Sequence, residues 1–347
     1  MGSTDVSRAA PQVGPGRRLL GRLLWLCSWS YLAVALGLWA LLRWADLWWP
    51  ASVFLFAPRW LCALPLLALL PAAGLLRRKG LLVPLGLAAA VIAGPVTGLC
   101  VPWRPLLSPA PAGPRLRLVT CNLHGSEAVE PHRLEALVQG SGADVVVLQE
   151  WPEAEASSLG TEPGWHRHAT PRLFLASRFP IRRVIELGRN SYEPEGSVAC
   201  YDLDTPAGVV HLFSLHLASP RDSLYAAVHE DRKGAAEVAA NSALRREQSE
   251  YVARHTAGLG GPVLLAGDFN TPPESALFRE VWGDYTDAFG AAGWGWGYTF
   301  AGGKTRVRID HVLAGRGWHC DRCRVGPHVG SPHRPVVADL IWSREQF

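Results

Sequence analysis

Residues 261–273, GPVLLAGDFNTPP, decide the fold. The apolar run Val263–Ala266 is too short for a helix, and Gly267, Asp268, Asn270 and two prolines close it. It therefore reads as a strand buried on both faces with a carboxylate at its C-terminal end. Working outward, the same arrangement returns in RLRLVTCN (115–122), ADVVVLQE (143–150), RLFLASRFPI (172–181), SVACYDLD (197–204), GVVHLFSLHL (208–217), RVRIDHVLAG (306–315) and RPVVADLIW (334–342). Between them lie helical stretches: PHRLEALVQG (131–140), with Pro131 in its first turn and Gly140 as its stop, one around Ala235–Thr256, and one at Glu274–Trp282. Beyond a weak likeness between 115–122 and 262–270, the chain shows no internal repeat. Strands alternating with few helices predict an α/β fold in which helices cover two sheets.

Upstream the composition changes. The 347 residues carry a net charge of +4, 48% are hydrophobic and only 18% are charged, which excludes a disordered chain. Residues 1–104 hold 10 Arg and Lys against two acids, Asp5 and Asp46, whereas residues 105–347 hold 24 against 28 and all 12 His. The excess positive charge thus belongs to an apolar N-terminal part, and the rest is slightly acidic. Apolar runs at about 19–42, 60–76 and 81–101 predict three transmembrane helices. The first has too long an apolar part, and no clear cleavage site, for a signal peptide. Arg8, Arg17, Arg18 and Arg22, then Arg77, Arg78 and Lys79, predict a cytoplasmic tail (1–18) and second loop, and so an extracytoplasmic C-terminal part. Trp44, Trp48, Trp49 and Trp103 suit the headgroup zone. A stiff Pro-rich linker (102–114) would lead into a domain over 115–347.

Asn122, Glu150, His216, Asp268, Asn270, Asp310 and His333 sit mostly at or just past the ends of apolar strands, where polar groups from several segments can share one rim. Singly, each has an ordinary explanation: Asp-x-Asn is usually a turn, and a strand Asp is usually satisfied by the backbone. Together, in order, TCNLHG, VVVLQE, SLHLASPR, LLAGDFNTPP, RIDHVLAG and SPHRPVVADL closely resemble the endonuclease/exonuclease/phosphatase superfamily, the deoxyribonuclease I-like metal-dependent phosphoesterases, over about residues 115–342. The resemblance implies a four-layer α-β-β-α sandwich behind the three-helix anchor, and hydrolysis of a phosphodiester with Mg²⁺ or Mn²⁺. It implies Glu150 and Asn122 at the metal, with Asn122 also able to contact phosphate. Asp268 would orient or deprotonate water, with Asn270 facing the same side of an extended chain. His333 would meet phosphate with Asp310 fixing its tautomer, His216 would be a second phosphate donor, and Arg221 a weaker substrate contact.

One departure stands out: Pro332 occupies the place where relatives carry an acid before the histidine. It leaves open a catalytically weakened, membrane-tethered module that binds phosphate ligands. The slightly acidic domain gives no general support to a nuclease, although Arg306 and Arg308, or Arg322 and Arg324, could form a local patch. A lipid bilayer next to the domain makes a phospholipid headgroup an equal candidate, and Trp294 and Trp296 could serve as a stacking or interfacial loop. No protein partner is expected. Arg246 and Gln248 read as structural, Cys121 and Cys200 as core, and Cys320 with Cys323 as a pair that could bridge or form half a zinc site.

Overall fold

The computed structural model describes residues 15–103, 110–125, 130–151, 159–187, 196–229 and 231–343; the tail through residue 14 and linker positions 104–109 lie outside these. The chain divides into two compact units, residues 1–39 with 60–96, and residues 40–59 with 97–347.

Helix α1 spans Pro15–Leu42, α2 Trp49–Phe56, α3 Leu66–Leu75 and α4 Leu82–Val91. Two helical stretches, Gly16–Leu42 and Lys79–Val96, are long and apolar enough to cross a membrane. The run expected to span over 60–76 is instead broken into a 3-10 turn at Arg59–Ala63 and the ten residues of α3. Pro65 precedes α3 and Pro71 lies inside it, and a proline removes a helix donor and crowds the preceding turn. Within the first unit, Tyr31 donates to the Cys62 carbonyl at 2.8 Å.

In the second unit the strands are β1 (Arg115–Asn122), β2 (Val145–Gln149), β3 (His166–Ala169), β4 (Leu173–Ser177), β5 (Ile181–Leu187), β6 (Ser197–Thr205), β7 (Gly208–His216), β8 (Val263–Asp268), β9 (Thr286–Asp287), β10 (Phe300–Gly302), β11 (Thr305–Val307), β12 (Asp310–Ala314), β13 (Trp318–Val325) and β14 (Val336–Trp342). They form two six-stranded mixed sheets, ordered β13-β14-β1-β2-β4-β3 and β5-β6-β7-β8-β12-β9, plus the hairpin β10-β11. The pairs β1/β2 and β7/β8 are parallel, and their neighbours run antiparallel.

Side chains alternate across each strand, so the apolar runs feed two layers at once. Leu118, Val145 and Val147 of one sheet join Leu212, Leu264 and Val312 of the other in the central layer. Val119, Val146 and Leu148 face outward beneath α5 (Pro131–Ser141). Phe213, Leu215 and Leu265 do the same opposite α7 (Asp231–Ala257) and α8 (Ala276–Val281); between β7 and α7 lies α6 (Arg221–His229), and α9 (Ala288–Ala292) follows β9. The result is two stacked sheets with helices outside each.

Some expectations change. The left-handed residue that stops α5 is Gly142, at φ 64°, and not Gly140. Cys320 and Cys323 are free and both buried in the central layer, with no disulfide. Residues three apart on a regular strand face opposite ways, but a register shift between Cys320 and Arg322 returns both thiols to the core. Arg308 is buried against Asp287 rather than part of a basic patch.

Candidate active site

Asn122 ends β1, Glu150 follows β2, His216 ends β7 and Asp268 ends β8. Asp310 begins β12, but that strand runs antiparallel and pairs Asp310 with Asp268, so the carboxylates share one end of the sheet. His216 pairs with Asp268 across the parallel junction. His333 enters just ahead of β14, bridged to Phe300. Gly267 is what lets β8 deliver Asp268: at φ 142° a Cβ there would sit 1.9 Å from the Leu215 carbonyl oxygen.

All seven predicted rim residues are therefore brought to one place, and all but Asp310 line a cleft of about 580 Å³ together with Arg221. His333 Nδ1 lies 2.9 and 3.2 Å from the Asp310 carboxylate oxygens. Asp268 accepts from Asn122 Nδ2 at 2.9 Å and from the Asn270 amide at 2.8 Å. Asn122 Nδ2 also donates to Glu150 at 3.1 Å, and His216 Nε2 faces the same Glu150 oxygen at 3.3 Å. The potential ligand atoms of Asp268, Asp310 and His333 lie within 4.8 Å of one another.

Two placements differ from the expected ones. Asn122 turns its NH₂ to the carboxylates, while its oxygen accepts from the His124 amide at 2.8 Å. The chain is not extended at Asn270: β8 ends at Asp268, Asn270 sits at φ 49°, and its Nδ2 donates to the Leu217 carbonyl at 2.8 Å. An aspartate that accepts the amide two residues on closes a local turn, which bends the chain away from the strand. Arg221 lies at the rim, 3.4 Å from His124.

His124 carries no role in the motif TCNLHG, yet its Nδ1 lies 3.6 Å from Glu150. Ser331, which has no predicted role either, joins the end of β1 to the segment ahead of β14, its hydroxyl donating to the Asn122 carbonyl and accepting from the His333 amide. Pro332 offers only its carbonyl, to Ala301. Trp294 and Trp296 do not line the cleft; the Trp296 indole donates to Thr97. Arg246 pairs with Glu280, and Gln248 accepts from the Ala218 amide.

His124 (φ 60°), Glu150 (46°) and Asn270 (49°) account for three of the five non-glycine residues with positive φ among the described residues. Such conformations cost energy and gather where side chains must be aimed.

The electrostatics separate the ionisable groups. Burial and the neighbouring Asp310 push Asp268 up to about 7, against the pull of His333. Burial alone would lower His333, but Asp310 and Asp268 outweigh it and raise it to about 9. Burial lowers His216 to about 4 despite Glu150. Burial opposes the Glu150 charge, yet His216, the Asn122 hydrogen bond and His124 hold it below the usual carboxylate range. The site therefore holds a neutral imidazole, an imidazolium and a carboxyl group that titrates near neutrality, a set suited to proton transfer and to binding an anion.

Comparisons with known proteins bear on the family and the fold. The model of the Endonuclease/Exonuclease/phosphatase family matches residues 119–333. Comparison with curated proteins finds no match. Among solved structures, D. rerio TDP2 complexed with a single-strand DNA product is similar at 14% identity and a TM-score of 0.52, over 65% of this chain and 98% of that one. An endonuclease/exonuclease/phosphatase family protein from Bacteroides thetaiotaomicron is similar at 17% identity and a TM-score of 0.51, over 67% of this chain and all of its own. At these identities the likeness is one of fold. The match to the family model spans most of the chain and ends on the rim histidine, so the chain belongs to the endonuclease/exonuclease/phosphatase family and is a hydrolase of the phosphodiesterase and nuclease type.

Proposed function

We propose that the protein is a membrane-anchored phosphodiesterase, dependent on Mg²⁺ or Mn²⁺, that hydrolyses a nucleic-acid or lipid-headgroup phosphodiester outside the cytoplasm. The observation that carries this reading is the convergence of Glu150, Asp268 and Asp310 with His216 and His333 at one rim. Three acidic side chains facing one imidazolium leave an excess of negative charge, and carboxylate oxygen is the donor that hard divalent cations take. Glu150 is the accessible one of the three, its side chain 28% exposed against 2% for Asp268 and 0% for Asp310. It would therefore hold the cation, with Asp268 and Asp310 behind it. With Asn122 presenting nitrogen to the carboxylates, its role here is to orient them. When bound, the cation supplies positive charge against a nonbridging phosphate oxygen.

The rest falls to the chain's own side chains. Asp268, held by Asn122 and the Asn270 amide, takes a proton from the water that adds to phosphorus, as the bond to the leaving oxygen breaks. His333, fixed at Nδ1 by Asp310, turns its Nε2–H to the phosphate and stabilises charge developing there. His216, neutral, braces Glu150, and Arg221 meets the substrate at the cleft mouth.

Turnover of bis(p-nitrophenyl) phosphate by the full-length protein tests the reading. With Mg²⁺ or Mn²⁺ the wild type should be active and a chelator should abolish turnover. Glu150→Gln and His333→Ala should each lose at least about 100-fold in kcat. Pro332, which supplies no carboxylate, favours the binding-module alternative, and absence of metal-dependent turnover would leave that alternative standing.

The anchor reading has its own support. Residues 40–59 precede the apolar stretch 60–96 and residues 97–347 follow it, yet they pack as one unit. Asp46 pairs with Arg245 at 2.9 Å, Arg59 with Glu274 at 3.3 Å, and the Ala276 amide donates to the Ala45 carbonyl at 3.2 Å. Two segments on one side of a bilayer need an even number of crossings between them, so 60–96 crosses twice or not at all. Two crossings plus α1 give three spans, and Arg77, Arg78 and Lys79 in the connecting loop favour the cytoplasm. The catalytic unit then lies outside.

A further inference from the structure

We infer that the cleft is built for a lipid phosphodiester, its phosphate at the acidic rim and its apolar part along a wall made by α2 and α6; this rests on the phosphodiesterase reading above. The cleft has two unlike halves. One holds the carboxylates and imidazoles, and the other is lined by Val53, Phe56, Pro58, Leu224, Tyr225 and Val228. On α6, Arg221, Leu224, Tyr225 and Val228 follow helical i, i+3, i+4, i+7 spacing, so one stripe leads from a cation at the rim to apolar side chains. From Arg221 to Val228 this stripe runs about 10 Å. Tyr225 and Val228 are 64% and 66% exposed, although Ser223 and Ala226 on the same helix are buried.

The facing wall is α2, which follows the first apolar helix almost directly. There Val53 and Phe56 line the cleft, Trp49 lies on the same helical face by its spacing, and the exposed Trp44, Leu47 and Trp48 come just before the helix in the chain. Aromatic side chains of this kind suit the headgroup zone.

This composition selects among phosphodiesters. A nucleic-acid strand needs cations along its backbone and aromatic faces for its bases. Beyond the rim, the described lining offers His229 as its further basic side chain, and its aromatic faces are already engaged, Phe300 packed on His333 and Tyr225 stacked on His229. An apolar wall continuous with a phosphate site matches a molecule that is anionic at one end and apolar at the other.

The test uses the full-length protein at a fixed detergent concentration and a series of p-nitrophenyl methyl, butyl, hexyl and octyl phosphates, read by nitrophenol release. Each methylene that the wall covers should raise kcat/KM about three- to fourfold. Val228→Glu places a charge on an exposed position and should flatten the dependence between butyl and octyl; Val53→Ser on the opposite wall should weaken it. In parallel, vesicles of phosphatidylcholine, phosphatidylglycerol or sphingomyelin and a single-stranded oligonucleotide are offered as substrates, and hydrolysis of at least one lipid above that of the oligonucleotide is expected. A flat series with the oligonucleotide cleaved faster overturns the lipid assignment and leaves the phosphodiesterase reading intact. A chain-length dependence unchanged in both variants also overturns it. Absence of metal-dependent hydrolysis of every substrate overturns both.

Discussion

Individual side chains in this protein are set by burial as much as by identity. His311, next to the rim, is fully buried, packs on Phe269 and Phe278, and has Nε2 3.0 Å from the Thr271 carbonyl. Burial and the charge of Arg308 hold its pKa down to about 4, against the pull of Asp287, from 6.5. Between those values the unfolded chain binds the extra proton, so this residue's contribution is full above about pH 6.5 and declines as pH falls toward 4. The total is on the order of 3 kcal/mol. Thermal melts of wild type and His311→Gln across pH 4 to 7 should show a shallower acid decline in the variant; parallel declines would count against a neutral buried imidazole. The rim residues were legible in the sequence as an ordered set of motifs, because acids and imidazoles at the ends of several apolar strands can share one rim, although each alone has an ordinary explanation. The direction in which Asn122 turns its amide was not legible, since the competing partners, Glu150, Asp268 and the His124 amide, come from different segments.

At the scale of elements, the apolar core strands and three of the helices followed from the sequence pattern, whereas β3, β13 and α6 were not among the elements it marked. Apolar runs of four to six residues closed by polar groups became strands buried on both faces, and Pro131 began a helix as its fixed φ allows. Exceptions arose where a neighbour overrode the local pattern. The shift in β13 that turns both Cys320 and Cys323 inward is a pairing event with β14. In the sequence, the segment after α1 stood out only for tryptophans suited to the headgroup zone and for Asp46, one of two acids in the N-terminal part. In the folded protein that acid, Asp46, forms an ion pair with Arg245 in which both side chains are 1% exposed. Asp46→Ala leaves a buried guanidinium without its counter-charge and should cost about 3–5 kcal/mol. The double variant Asp46→Leu with Arg245→Met should recover most of that loss, and melting temperatures of the three proteins would expose any failure of the pair to couple.

For the whole molecule, the decisive feature is that residues 40–59 are part of the catalytic unit and form one wall of its cleft. Topology can be read by labelling cells with an impermeant maleimide after the exposed or half-buried Cys27, Cys62 and Cys100 are changed to Ala. Leu47→Cys and Arg316→Cys should label from outside alike, and Lys79→Cys only after permeabilisation. Opposite labelling at 47 and 316 would contradict the parity of crossings. The sequence shows three apolar runs; two helical stretches have the length to span, and a third span is reached only if Trp49–Phe56 and Arg59–Leu75, bent by 85°, count as one, the middle run being interrupted at Pro65 and Pro71. Length and hydropathy report only whether a segment can enter a membrane, and do not fix how a proline-broken one is arranged.

By itself, the sequence determined eight of the apolar strands and three of the helices, the split between an apolar cationic N-terminal part and an acidic, histidine-bearing domain, and the family to which that domain belongs. Each of these is written in local spacing, composition or ordered motifs. The tertiary structure alone decided the direction in which Asn122 turns its amide, the turn at Asn270, the entry of His124 and Ser331 into the site, and the place of α2 at the cleft. These depend on contacts such as Asp46 with Arg245, 199 residues apart, which leave no periodic trace because packing, not chain proximity, selects the partners.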